Sequence, residues 1–449
     1  MPLPPLTRRS FLRSSSAAAL PLVLPAPGKA KPANSRLQHA CIGADGQGWS
    51  DLENLASHPG LEVVALCDVD ASRIERARER FPQARCYQDW RELLEKEGDR
   101  VDSLNVSIPD HMHAPVSVSA MRLGKHVFCE KPLTHTVSEA RVMRETAEKH
   151  QVVTQMGNQI QSAIEYRMAV RMLQDGVIGR IREIHAWSGA RFPYRGRPQG
   201  ADPVPEGLAW DLWLGVAPGR PYRDGIYHPF NWRGWQDFGG GGLGDFGCHI
   251  LDTPFKAVEL TAPLTIRADV PDAWTSDDAA FRENFPDGAT VEYEFPGTRY
   301  TAGERIRVTW YDGERIPPRE LFDFQDDARE IPGGGSLFLG EDGQLLVPHV
   351  AGPQLLPYSR NRGLKRPDVD GFSHYHAFVD ACLQGGVTGS HFSYAGPLAE
   401  TTLLGTVALR HPGRELAWDA AALRVTNLEE ANQSVHKTYR DGWSLEDLG

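Results

Sequence analysis

Cysteine is scarce: six residues in a chain of 449, with no two at CxxC spacing. That excludes a disulfide scaffold and argues against structural zinc, so no metal site is expected. Cys41, Cys67 and Cys129 sit inside apolar runs that read as strands and are expected as small buried core residues. No stretch approaches the ~18 uninterrupted apolar residues that a bilayer span requires, so no membrane insertion is expected. Positive charge is also in short supply. The formal net charge is −11, and because five cations and no acid fall within the first 33 residues, the remainder carries −16. Such a surface is a poor partner for nucleic acid or an anionic membrane and leaves small molecules as ligands. What is plentiful is glycine (44) and proline (33), the composition of a loop-rich globular protein, in a chain long enough for two domains.

The first residues read as an address. Thr7-Arg8-Arg9-Ser10-Phe11-Leu12 is followed by a short Ser/Ala/Leu stretch and then by small residues with Lys29. Paired arginines before a brief apolar segment form a twin-arginine signal, so residues 1–33 are expected to direct folded export to the periplasm or another extracytoplasmic space.

From residue 36 the chain alternates strand and helix. Apolar runs at 37–43, 61–66, 101–108, 126–129 and 152–156 are separated by amphipathic stretches at 49–57, 71–81, 90–96, 114–123 and 138–150. This alternation implies a parallel sheet covered on both faces. The first run ends in Gly43-Ala44-Asp45-Gly46-Gln47-Gly48, which opens a helix, and Asp68 follows Gly48 by twenty residues at the end of the second run. Glycines there let a backbone approach a pyrophosphate, and an acid there holds ribose hydroxyls. Asp68 favours NAD over NADP, because a carboxylate repels a 2′-phosphate. Asp45 stands where the middle glycine is expected and brings a negative charge toward the phosphates; Gly46 is placed to take over the close approach.

Further motifs follow in order: Pro109-Asp110-His111-Met112-His113 after the fourth run, Cys129-Glu130-Lys131-Pro132 after the fifth, and Gly244-Asp245-Phe246-Gly247-Cys248-His249 in the second half. Together with Trp210-Asp211-Leu212-Trp213-Leu214-Gly215, Phe392-Ser393-Tyr394-Ala395-Gly396-Pro397 and Tyr439-Arg440-Asp441-Gly442-Trp443, they resemble the glucose–fructose oxidoreductase/inositol dehydrogenase (Gfo/Idh/MocA) family, in its exported branch. The resemblance implies a Rossmann dinucleotide-binding domain over 36–157. It implies a C-terminal α+β domain over 158–449 with a large, mostly antiparallel open sheet. It also implies a bound NAD, a sugar or glycoside substrate between the domains, and pairing of chains through the second sheet. Carried over by position, Lys131, Asp245 and His249 are the catalytic group. Gly43, Gly46, Gln47, Gly48, Asp68, Ser107, Pro109, Asp110, His113, Glu130, Lys131 and Asn158 are the cofactor contacts.

The chemistry points to the same trio. Oxidising an alcohol needs a base for the hydroxyl proton and a positive group for the developing alkoxide. Asp245 and His249 are four apart and share a helix face, so the carboxylate is placed to orient the imidazole, and Lys131 follows a strand end where parallel sheets place ligands. Aromatics such as Tyr194 are dense from 187 to 238, with Arg191 and Arg195 interleaved; Tyr227, His228, Trp232 and Arg233 are the preferred substrate contacts. His374, Tyr375 and His376 read as structural.

Export shapes the reaction, because an exported enzyme meets no free NAD and has to regenerate the cofactor it carries. One solution is an oxidoreductase acting on a sugar or glycoside hydroxyl. The other is a redox-neutral glycosidase that passes through a transient keto-sugar: oxidation, elimination of the aglycone, hydration and reduction. A protein that only binds nucleotide is expected to lack one of Lys131, Asp245 and His249.

Overall fold

In a computed structural model of the chain, the described residues are 36–192, 196–325 and 328–444. The signal expected at 1–33 and the residues Tyr194 and Arg195 lie outside them. Among the described residues no helix is long and apolar enough to cross a membrane, and no cluster of three or more His, Cys, Asp or Glu is placed to hold a metal.

Six strands form the first sheet: β1 (Leu37–Ile42), β2 (Leu61–Cys67), β3 (Arg85–Tyr87), β4 (Ser103–Val106), β5 (His126–Glu130) and β6 (Thr154–Gly157). Their order is β3-β2-β1-β4-β5-β6 and every pair is parallel, so the strand order reverses between β1 and β4. The central β4 is buried along its whole length, as a strand covered by helices on both faces must be. The connecting helices have local reasons to start where they do. Asp70 accepts from Ser72 N to cap Ala71–Arg80, Asp89 accepts from Arg91 N to cap Trp90–Glu97, and Thr136 with Glu139 forms a capping box on Val137–His150. β3 gives no sequence signal because it is a three-residue edge strand.

The second sheet has nine strands, β7 (Ile181–Ser188), β8 (Thr265–Asp269), β9 (Gly288–Pro296), β10 (Arg305–Gly313), β11 (Gly334–Gly340), β12 (Gln344–Pro348), β13 (Gln354–Leu356), β14 (Glu415–Asp419) and β15 (Arg424–Val425). The order is β13-β12-β11-β7-β10-β9-β8-β14-β15, antiparallel except where β7 lies parallel to β10. Alternation is clear on β9, where Val291, Tyr293 and Phe295 face the core and Glu292 and Glu294 do not.

One hydrophobic core runs without a break from the first sheet into the second. Helix Phe392–Leu409, buried almost all round, packs on Val137–His150 of the first domain and on helix Gly241–Ile250 and β8 of the second. A fork of hydrogen bonds crosses this contact, Arg141 Nε and Nη2 donating to the two Glu400 oxygens at 2.8 and 2.9 Å. The boundary near residue 157 is therefore covalent rather than spatial, because helix His374–Gln384 returns to cover the first sheet. There Phe378 and Val379 join the core around β1 and β2, and Gln155 Nε2 donates to His374 O at 2.6 Å.

A polar node knits the second domain together from its first residue onward. Asp252 is fully buried and accepts from Asn158 Nδ2 at 2.8 Å, from Gln161 Nε2 at 3.2 Å and from Tyr394 OH. Asp252→Ala strands the donors of buried Asn158 and Gln161 and of half-buried Tyr394, and is expected to lower unfolding free energy by about 3 kcal/mol, read from denaturant midpoints at unchanged m-value.

Candidate functional site

A cleft enclosing about 1250 Å³ of space, open to solvent, runs along the carboxyl ends of the first sheet where the strand order reverses. Ligands sit at that crevice in open parallel sheets. One wall comes from the first domain, and the other from residues 212–233 and helix Gly241–Ile250 of the second.

At one end lies the glycine turn. Gly43 has φ 88°, and a Cβ there would stand 2.3 Å from Ser107 O, so the turn is built for close packing of β1 against β4. Gly46 has φ 58° and nothing within 4 Å of a Cβ position; it is exposed on the cleft wall at the start of helix Gln47–Ala56, whose first amides have no side-chain cap. Open space before an uncapped helix N-terminus suits a pyrophosphate. Asp45 does not spoil this site, because its carboxylate is paired with Arg73 Nη1 at 2.6 Å. At the end of β2, the Asp68 carboxylate accepts from Ala44 N and Asp70 N, both at 3.0 Å. Burial pushes its pKa up to about 6, against the pull of those two amides. Spare lone pairs remain for ribose hydroxyls. These features fit a dinucleotide.

At the other end, Lys131 reaches across from the tip of β5 and donates to Asp245 Oδ1 at 2.5 Å and to Asp245 O at 2.9 Å. Arg233 Nε lies 3.4 Å from the same carboxylate oxygen. Burial alone would lower the Lys131 pKa, but Asp245, Glu130 and Asp110 outweigh it and hold the ammonium above its usual value. Burial alone would raise Asp245, but Lys131 and Arg233 outweigh it, so the carboxylate stays ionised. Asp110, also on the cleft wall, is pushed up to about 8 by burial, against Arg233 and Lys131.

Of the residues expected at the cofactor, Gly43, Gly46, Gln47, Asp68, Ser107, Pro109, Asp110, Glu130 and Lys131 line the cleft. Gly48, His113 and Asn158 stand behind it. A Cβ on Gly48 would lie 2.0 Å from Gly43 O; His113 is buried with Nε2 2.7 Å from Ile108 O; Asn158 serves the Asp252 node. Of the expected substrate contacts, His228, Trp232 and Arg233 line the cleft, whereas Tyr227 is 1% exposed inside an aromatic cluster with Trp213, Trp235 and Phe238. The expected Asp245–His249 contact is replaced: Asp245 turns to Lys131 and Arg233, and His249 Nδ1 is buried with no hydrogen-bond partner among the described residues. His249 instead walls a separate small cavity that shares no lining residue with the cleft, and its ring lies 5.9 Å from that of His349. Burial, then Lys131 and His349, hold His249 well below the usual histidine range.

Sequence reasoning missed three residues here. Arg73 neutralises Asp45. His349 joins His249. Asp51 gathers Gln47, Ser107 and Tyr375, accepting from them at 2.8, 2.7 and 2.9 Å. Only Asp51 left a signal, four residues after Gln47 on the buried face of one helix.

Two family models match the chain: "Oxidoreductase family, NAD-binding Rossmann fold" over residues 37–158 and "Oxidoreductase family, C-terminal alpha/beta domain" over 173–291. The chain belongs to the Gfo/Idh/MocA family. The cofactor of this family's first domain is NAD, in keeping with the cleft. Among curated relatives, "Glycosyl hydrolase family 109 protein 1" of Shewanella sp. (strain ANA-3) is 33% identical over 149 residues, covering 31% of this chain and 32% of the relative. "Alpha-N-acetylgalactosaminidase" of Shewanella oneidensis is 31% identical over the same length and shares. The match thus spans about a third of these relatives' length. Among solved structures, the WlbA dehydrogenase of Bordetella pertussis with NADH and UDP-GlcNAcA superposes with a TM-score of 0.58 at 16% identity, covering 86% of this chain and 99% of that one. An inositol dehydrogenase homolog of Azotobacter vinelandii with NADH and myo-inositol gives 0.57 at 19%, covering 86% and 98%. At such identities these two share the fold.

The Asp45–Arg73 pair makes a quantitative test possible. Arg73→Ala leaves the Asp45 charge facing the phosphates and is expected to weaken NAD binding about tenfold, read by titration of the apoprotein. Asp45→Asn in the Arg73→Ala background is expected to restore most of that loss.

Proposed function

We propose that the protein oxidises a hydroxyl of a sugar or glycoside, with NAD bound in the cleft as the hydride acceptor. The observation that carries this reading is the Lys131–Asp245 bond at the far end of the cleft. An ammonium has three donors, and Asp245 engages two through its carboxylate and its carbonyl. The third is left to hold a substrate oxygen as it becomes an alkoxide. Asp245 keeps Lys131 charged, and Arg233 keeps Asp245 ionised. The proton-accepting role is assigned to His249, which walls the neighbouring small cavity, on its place one helical turn (about 5.4 Å) beyond Asp245 in the same motif and on its being held neutral.

A second reading rests on the names of the curated relatives, which are glycosyl hydrolases. In it the oxidation is transient: the new ketone acidifies the neighbouring C–H, the aglycone leaves by elimination, water adds, and the ketone is reduced again. His349 beside His249 supplies the second proton-transfer group that such a cycle needs. The twin-arginine pattern supports folded export with NAD aboard, and the resemblance supports pairing of chains through the second sheet.

Holoprotein incubated with nitrophenyl glycosides and with free sugars, and analysed by product mass, separates the readings. A ketone product marks the oxidoreductase; free sugar with no net redox change marks the glycosidase. His249→Ala is expected to keep NAD bound and slow reduction of the nicotinamide by roughly 10²–10⁴. The wild-type rate is expected to fall in acid with an inflection below 6.5, where His249 takes up its proton. A profile with no inflection below 6.5 would assign the base elsewhere.

A further inference from the structure

The adenosine end of a dinucleotide cleft in a parallel sheet lies at the tip of the second strand, and in this chain that tip is covered. Ala209 N donates to Val69 O at 2.8 Å and Ala71 N donates to Gly207 O at 3.0 Å, pairing Leu208 with Asp70 as an antiparallel bridge. Gln88 Nε2 donates to both carbonyls, Val69 O at 3.1 Å and Gly207 O at 2.6 Å. From farther along the second domain, His228 Nε2 approaches Asp70 Oδ2 to 3.0 Å. Asp70 is fixed for that contact, since its other oxygen caps helix Ala71–Arg80.

The covering segment is itself anchored. Trp210 stacks on Trp213 at 4.7 Å between ring centroids, Trp213 packs edge-on against Phe238 at 4.9 Å, and Arg440 binds Asp211 Oδ1 at 2.6 Å and Gly215 O at 3.0 Å. Leu212, Trp213, His228 and Pro229 face Asp68 and Arg73 across the cleft.

We infer that residues 207–229 form a strap over the adenosine end of the NAD site, latched by Gln88 and His228, which makes the cofactor resident. A dinucleotide lying from Asp68 to Lys131 passes under the strap and leaves only when the backbone bridge and both side-chain latches open together. His228 thereby serves cofactor retention, at the opposite end of the cleft from Lys131 and the reacting carbon. The inference holds for either reaction proposed above.

The test is the release rate of NADH from the reduced holoprotein, followed by nicotinamide fluorescence during a chase with excess NAD. His228→Ala removes a hydrogen bond to a charged acceptor, and its release rate is expected to rise about ten- to a hundredfold. Gln88→Ala, at an exposed position that leaves the core untouched, is expected to accelerate release in the same direction, and the double variant further. The Michaelis constant for sugar is expected to stay unchanged in Gln88→Ala. Release rates equal to wild type in variants of native melting temperature overturn the inference. So does a rise in the sugar Michaelis constant of His228→Ala without faster release, which would put His228 at the substrate.

Discussion

The bond from Lys131 to Asp245 joins the two domains across the cleft, and the proposed chemistry depends on it. Lys131 ends a strand of the parallel sheet, and Asp245 projects from a helix packed on the antiparallel one. Each group is half-buried, and each helps to hold the other charged, with Glu130 and Asp110 supporting Lys131 and Arg233 supporting Asp245. The shared core and the Arg141–Glu400 fork fix the relation between the domains that the pair requires. The cleft is thus a consequence of how two sheets are cemented, and neither domain lines it alone.

The same economy appears at the phosphate turn. An aspartate where a glycine is expected places charge against a pyrophosphate, and Arg73 cancels that charge from the next helix. Arg73 also lies 3.5 Å from Asp70, so the turn, Asp68 and the Asp70–His228 contact share one electrostatic neighbourhood. Substitution of any one member is felt by the others.

Much of this was legible in sequence. Features local to one strand–turn–helix unit, such as Gly43, Gly46 and Asp68, declared themselves through spacing. Lys131 and Asp245 were readable because each sits in a short motif. The partnership between them was misassigned: helical spacing offered His249 to Asp245, whereas a lysine 114 residues away took the carboxylate. Tyr227 looked like a sugar platform by type, but burial among Trp213, Trp235 and Phe238 decided its place. The contacts of Gln88 with Gly207 and of His228 with Asp70 join residues 119 and 158 positions apart and have no local signature. Long-range contacts of this kind exist only after both domains have formed. β3 was missed for the opposite reason, being too short to show a period.

The most direct test of the account is a single-turnover comparison of wild type with Lys131→Met, both loaded with the same amount of NAD. Each is mixed with a panel of sugars and glycosides while the absorbance of the bound nicotinamide is followed. The account expects a reduced-nicotinamide signal in wild type and its slowing by roughly 10²–10³ in Lys131→Met, the usual scale for removing one donor to a developing oxyanion. Reduction at the wild-type rate in Lys131→Met would contradict it, and would show that the bond between the domains holds the fold without taking part in the chemistry.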